Sequence, residues 1–164
     1  MANITLKGKP ITTSGNLPAV GTIAPDVTLT GIDLADVQLS DLKGRKVLNI
    51  FPSLDTGVCA TSVRTFAQKV VGKGGVTVLN VSADLPFAHK RFCTAEGIAG
   101  VTNLSSFRSD FADKFGLRIM EGGMRQLNSR AVLVLDESNK VVYTEQVPEI
   151  TTEPNYDAAL SKIG

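Results

Sequence analysis

The chain carries two cysteines and one histidine in 164 residues, and one of the cysteines stands where a thiol is chemically useful. In Phe51-Pro52-Ser53-Leu54-Asp55-Thr56-Gly57-Val58-Cys59, a short apolar run ends at Phe51, a polar turn follows, and an amphipathic pattern begins near Cys59. A thiol in the first turn of a helix faces orphan backbone N–H groups and the positive end of the helix dipole. Both favour the thiolate, which is the nucleophile. An ordinary thiol, with pKa about 8.5, is only a few per cent ionised at neutral pH. Bringing such a group to about 6 makes it ~90% thiolate and takes about 3.4 kcal/mol of preferential stabilisation. A helix terminus supplies about 0.3–1 kcal/mol, and up to ~2 when partly buried, so a cation must supply the rest. Arg64 is the nearest in sequence, and any arginine folded against this loop could serve. A lone helical cysteine is also commonly a small buried hydrophobe. The strand–turn–helix placement is what favours the reactive reading.

The elements that must position this thiol are legible as patterns. Val47 to Phe51 and Val76 to Val81 are short, mostly apolar runs, as expected of strands buried on both faces of a central sheet. Ala131 to Leu135 and Val141 to Tyr143, joined across Asp136 to Lys140, predict an antiparallel hairpin, and Ile4 to Leu6 with Ile11 and Thr12 predict a small N-terminal one. Residues 15–26 read as a connecting loop rich in Gly and Pro. Cys59, Val63, Phe66 and Val70 form one helical stripe. A second helix, opened by Asp84 and Pro86, carries Leu85, Ala88, Phe92 and Ala95 as its apolar stripe and closes at Gly97. A third is read over Phe107, Phe111 and Phe115, ending at Gly116, and a last from about Thr152 to Ile163. Together these predict one α/β domain over residues 1–164, with a thioredoxin-like central mixed sheet flanked by helices and an N-terminal hairpin.

Composition excludes several classes of function. Seventeen basic residues against sixteen acidic ones leave +1, so no broad field draws nucleic acid or acidic membranes. No apolar run approaches the roughly 20 residues of a membrane helix, and the start, Met1 to Gly8, has no secretory pattern, so a cytoplasmic location is expected. Two cysteines and one histidine make neither a disulfide scaffold nor the usual four-ligand zinc site. Redox chemistry is the better use for them.

Pro52 to Cys59 matches the Pro-x-x-x-Thr-x-x-Cys signature of peroxiredoxins. The wider string Phe51 to Arg64, with SADLPFA and RFC around Cys93, is similar to the bacterial thiol peroxidase subfamily, and the similarity continues through NSRAVLVLDE to EITTEPNYDAAL. This resemblance implies an atypical two-cysteine peroxidase acting on hydrogen peroxide and organic hydroperoxides. Cys59 would be the peroxidatic cysteine, Thr56 would use its hydroxyl on thiolate and peroxide, Pro52 would shield the site, and Arg130 would supply the missing charge. Cys93 would be the resolving cysteine, forming a Cys59–Cys93 disulfide that thioredoxin reduces. A homodimer is implied, and no metal, haem or flavin.

Outside the resemblance, Cys93 follows Phe92 and so is expected about 100° off its helix stripe, towards the flank. The 34-residue separation from Cys59 permits pairing without demonstrating it. His89, one turn earlier, is expected as a solvated histidine. Gly72 to Gly75 and Gly122-Gly123 read as turns, not phosphate loops. Two other classes fit the same cysteines. One is a redox-sensor module that consumes peroxide slowly. The other is a thiol–disulfide oxidoreductase, although Ser62 stands where Cys-x-x-Cys would need its second cysteine.

Overall fold

Runs of consecutive apolar residues, whose side chains point alternately to the two faces, build the sheet that carries the site. In a computed structural model, which describes residues 1–70 and 72–163, a small antiparallel pair, β1 (Asn3–Leu6) and β2 (Lys9–Thr12), precedes a seven-stranded sheet. Its strands are β3 (Thr28–Gly31), β4 (Asp36–Gln38), β5 (Arg45–Ile50), β6 (Val76–Ser82), β7 (Val101–Ser105), β8 (Ala131–Leu135) and β9 (Val141–Gln146), in the order β4-β3-β7-β6-β5-β8-β9. β5, β6 and β7 are parallel; β8 runs antiparallel to β5, and β3 to β7. The helices are α1 (Gly57–Val70), α2 (Pro86–Glu96), α3 (Phe111–Lys114) and α4 (Tyr156–Leu160). This is the expected mixed sheet flanked by helices, with its N-terminal hairpin.

Each central strand feeds two cores. Leu48, Ile50, Leu79, Val81, Leu133 and Leu135 face Phe111 and Phe115. Val47, Val78, Val132 and Val134 face Phe66, Val70, Ala159 and Ile163 on α1 and around α4. A Phe, Leu or Val side chain fully buried in this way contributes about 1.5–3 kcal/mol of transfer free energy. The second face is the one on which the thiol helix rests.

Several expectations need correction. β3, β4 and β7 went unread because they are short and half polar, as in Val101-Thr102-Asn103-Leu104-Ser105. The third helix is only α3: Phe111 and Phe115 stack with ring centroids 4.5 Å apart, whereas Phe107 lies in the preceding turn and is 44% exposed. The last helix begins at Tyr156 rather than Thr152, two residues after Pro154, with Asn155 capping it by accepting from the Ala158 amide at 3.0 Å.

α2 ends at Gly97 in the left-handed conformation as expected, but it presents a different face. Leu85 is 50% exposed, while Pro86 and His89 are buried and Phe92 and Cys93 half-buried. The surface it covers explains this. β6 and β7 offer Ser82 and Asn103 there, and polar side chains on the helix meet them.

A loop crossing holds the N-terminal segment against this body. The Gly15 amide donates to the Gly116 carbonyl at 3.2 Å, and Gly116 sits at φ 67°, where a Cβ would drive into the Asn16 backbone. Gly116→Ala is therefore expected to destabilise the protein by more than about 2 kcal/mol, well beyond the penalty of positive φ alone. Urea denaturation checks this through a lower midpoint at unchanged slope.

Candidate active site

The turn between β5 and α1 places Pro52, Thr56 and Cys59, and Asp84 pins it. The Ser53 hydroxyl donates to Asp84 Oδ1 at 2.7 Å, the Leu54 amide donates to Oδ2 at 2.8 Å, and the Ser82 hydroxyl donates to Oδ2 at 2.6 Å. Pro52 is buried beneath the turn. Thr56 donates its hydroxyl proton to the Ser53 carbonyl at 3.1 Å, and its own carbonyl accepts the Ala60 amide. The backbone enters α1 there, so Cys59 lies within the first turn, beside the orphan N–H groups.

Cys59 is 0% exposed and packs with Phe51, Leu54 and Val63, with Phe92 and Ile98 at the rim. Its sulfur accepts a hydrogen bond from Arg130 Nη2 at 3.2 Å. Arg130 is only 1% exposed and leaves the sheet immediately before β8. Its Nε donates to the Ile150 carbonyl at 2.7 Å, and Nη1 has no partner among the described residues. No carboxylate pairs with this guanidinium among the described residues. A buried cation without an anion is strongly unfavourable. The sulfur is the group placed to provide the countercharge, and Nη1 is a free donor beside it. Arg64, the cation nearest in sequence, is turned away: it pairs with Glu96 at 2.9 Å and lies over the Phe92 ring.

The carbonyl that aims Arg130 is held by the N-terminal hairpin. The Ile150 amide donates to Thr5 O at 2.9 Å, and the Thr5 amide donates to Pro148 O at 2.7 Å. The Glu149 carboxylate accepts from the Thr151 amide at 2.9 Å, the Gly8 amide at 2.8 Å and the Thr5 hydroxyl at 3.0 Å. The backbone donors of Thr151 and Gly8 hold its pKa down to about 2. Sequence reasoning missed Glu149 and the pinning role of Asp84. Both act through backbone contacts that join distant segments, and no local pattern marks such residues.

Cys93 is half-buried and accepts from Asn103 Nδ2 at 3.0 Å. Burial pushes its thiol up, and the Asn103 hydrogen bond opposes this in part. Both cysteines are free thiols, each with its own partner. His89 corrects the expectation of a solvated ring. It is fully buried, with Nε2 3.0 Å from the Ser82 hydroxyl and Nδ1 unpartnered. The Ser82 proton is committed to Asp84, so Nε2 carries the hydrogen and donates. Burial lowers the His89 pKa to about 4, against a smaller opposing pull from Asp84. Among the described residues, no three His, Cys, Asp or Glu side chains are grouped to hold a metal.

A buried thiol at a helix start, facing a buried arginine on a thioredoxin-like sheet, belongs to the redoxin class, and the Redoxin family matches residues 19–160. The thiol peroxidase of Mycobacterium bovis is 53% identical over 165 residues, spanning 100% of this chain and 99% of that protein. That of Corynebacterium glutamicum is 49% identical over 164 residues, 99% of each. A peroxiredoxin-like protein from Aquifex aeolicus superposes with a TM-score of 0.94 at 40% identity, covering 99% of this chain and 96% of that one. The chain belongs to the thiol peroxidase branch of the redoxin family.

The buried imidazole makes stability depend on pH with a definite sign. Folding depresses the His89 pKa from 6.5 to about 4, so the unfolded chain binds the proton first as pH falls. Stability is thus fully present above pH 6.5, falls between 6.5 and about 4, and is flat with respect to this group below that. The stability difference between the wild type and His89→Gln is expected to narrow by on the order of 3 kcal/mol from pH 7.5 to pH 4. Urea titrations at both pH values test it; a difference that stays constant would assign the acid sensitivity to other groups.

Proposed function

We propose that the protein is a single-domain thiol peroxidase that reduces hydrogen peroxide and organic hydroperoxides through Cys59. The observation that carries this reading is the 3.2 Å contact between Arg130 Nη2 and the buried Cys59 sulfur, with no carboxylate among the described residues to compete for the charge. The Cys59 thiolate attacks the terminal peroxide oxygen, an S–O bond forms as the O–O bond breaks, and the departing oxygen takes up the proton that the thiol released and leaves as water or an alcohol. Negative charge grows on both oxygens as the bond lengthens, so fixed donors stabilise the transition state more than the ground state. Arg130 Nη1 is one free donor. The Thr56 hydroxyl, whose hydrogen bond is donated to the Ser53 carbonyl, keeps its oxygen lone pairs as an acceptor for the peroxide hydrogen. Pro52 closes the floor of the turn against water.

Cys59 is then a sulfenic acid, and Cys93 condenses with it: an S–S bond forms and water leaves. A disulfide requires Cα atoms within about 7 Å. Cys59 is tied to Arg130 and Cys93 to Asn103, so both must leave their partners first. A dithiol protein, thioredoxin, returns the pair to thiols by exchange. The reading includes a homodimer in the cytoplasm.

Cys59→Ser is expected to abolish peroxide turnover, whereas Cys93→Ser reduces about one equivalent and stops at the sulfenic acid. A peroxidase assay with thioredoxin and its reductase, read alongside a sulfenic-acid probe, tests both. Multiple turnovers by Cys59→Ser would overturn the assignment, and slow substoichiometric consumption by the wild type would point to a sensor.

Arg130→Met is expected to slow Cys59 oxidation at neutral pH at least about tenfold, since a charged hydrogen bond of about 1.5–3 kcal/mol is lost. Arg130→Lys falls between, keeping charge without the planar fork. Competition kinetics for peroxide reads the effect; a wild-type rate in Arg130→Met would mean another donor does this.

A further inference from the structure

Three buried asparagines stand side by side across the sheet. Asn49 on β5 is in register with Asn80 on β6, and Asn80 with Asn103 on β7, all on the face covered by α1 and α2. Their amides are joined head to tail. Asn49 Nδ2 donates to Asn80 Oδ1 at 3.0 Å, Asn80 Nδ2 to Asn103 Oδ1 at 3.2 Å, and Asn103 Nδ2 to the Cys93 sulfur at 3.0 Å. At the other end, Asn49 Nδ2 also donates to Ser62 Oγ at 3.3 Å, and Ser62 donates to the Cys59 carbonyl at 2.8 Å. A continuous polar line thus runs from the backbone of the Cys59 turn to the sulfur of Cys93. Apolar residues of similar shape would fill these positions at little cost in stability. What the amides add is direction and a fixed terminus on the sulfur.

We propose that Asn103, held by Asn80 and Asn49, is a positioning residue that latches Cys93 against β7 and thereby sets the rate at which Cys93 reaches oxidised Cys59. This rests on the reading of Cys93 as the resolving thiol. Half-buried and hydrogen-bonded, Cys93 is partly shielded from reagents and held away from Cys59. Released into water it ionises more readily, because the burial that pushes its thiol up is gone. In the step it then takes, the Cys93 proton and the sulfenic hydroxyl leave as water while the S–S bond forms. The latch therefore acts on resolution and not on peroxide reduction.

The test separates the two steps in the full chain. Asn103→Leu removes the donor, and Asn103→Thr, suited to a strand, keeps an oxygen for Asn80 but is too short to reach the sulfur; the second serves if the first does not fold. Rapid mixing with peroxide is expected to give an unchanged rate of Cys59 oxidation and disulfide formation faster by about fivefold, the factor one net hydrogen bond represents. In a Cys59→Ser background, alkylation of Cys93 by iodoacetamide is expected to rise by a similar factor. This second measurement does not depend on any peroxidase activity. Ala95→Gly, an exposed change that loosens α2 by helix propensity alone, is the control for general instability. Wild-type rates of both alkylation and resolution in the Asn103 variants would overturn the latch, as would equal acceleration by Ala95→Gly. Continued turnover by Cys93→Ser would instead overturn the resolving role, whatever the alkylation rates.

Discussion

A guanidinium sealed inside a protein without a carboxylate is an expensive thing to fold, and this structure is arranged around one. Among the described residues, Arg130 has a single carbonyl and a single sulfur as acceptors. A cation so placed is stabilised by an electron-rich neighbour, and the Cys59 sulfur is that acceptor. The N-terminal turn of α1 brings its own positive end to the same sulfur. The surroundings of the thiol are therefore set by two segments 71 residues apart in sequence, not by the signature around Cys59 alone.

Two sets of polar contacts keep those segments in place. On one side Asp84 gathers Ser53, Leu54 and Ser82, so the turn that leads into α1 is tied to the end of β6. On the other, Glu149 and the N-terminal hairpin fix the Ile150 carbonyl that orients Arg130. Between them, α2 lies on a polar strip of the sheet through His89 and Cys93 instead of an apolar stripe. That is weaker anchoring than hydrophobic burial supplies, so α2 opens more readily than a helix sunk in the core.

The chemistry-bearing residues were legible in the sequence because they cluster: a strand, a polar turn and a cysteine opening a helix form one local pattern. β5, β6 and β8 were legible for a similar reason, being mostly apolar runs, and β9 followed from the polar turn Asp136 to Lys140 that joins Val141 to β8. Arg130 was visible only through family resemblance, since an arginine before a strand has nothing local to distinguish it. α2 misled because periodicity locates the apolar face of a helix, not the surface it will meet. The ladder left a signal that went unread: Leu48-Asn49-Ile50, Leu79-Asn80-Val81 and Thr102-Asn103-Leu104 each interrupt a strand with the same amide. Three such interruptions in register become meaningful only once the strands are known to be neighbours.

The hairpin's grip on Glu149 also orders events as the chain first acquires its shape. The contact between Thr5 and Glu149 closes a loop of 144 residues, among the most sequence-distant contacts in the fold. Closures of that length come late, after local helices and neighbouring strands have formed. A chain emerging from the ribosome exposes Cys59 long before residues 148–151 exist to aim Arg130. During that interval the sulfur lacks its cation. Joining the two ends of the chain thus completes the surroundings of the Cys59 sulfur last, and a half-made molecule carries that sulfur without the guanidinium that the finished one holds against it.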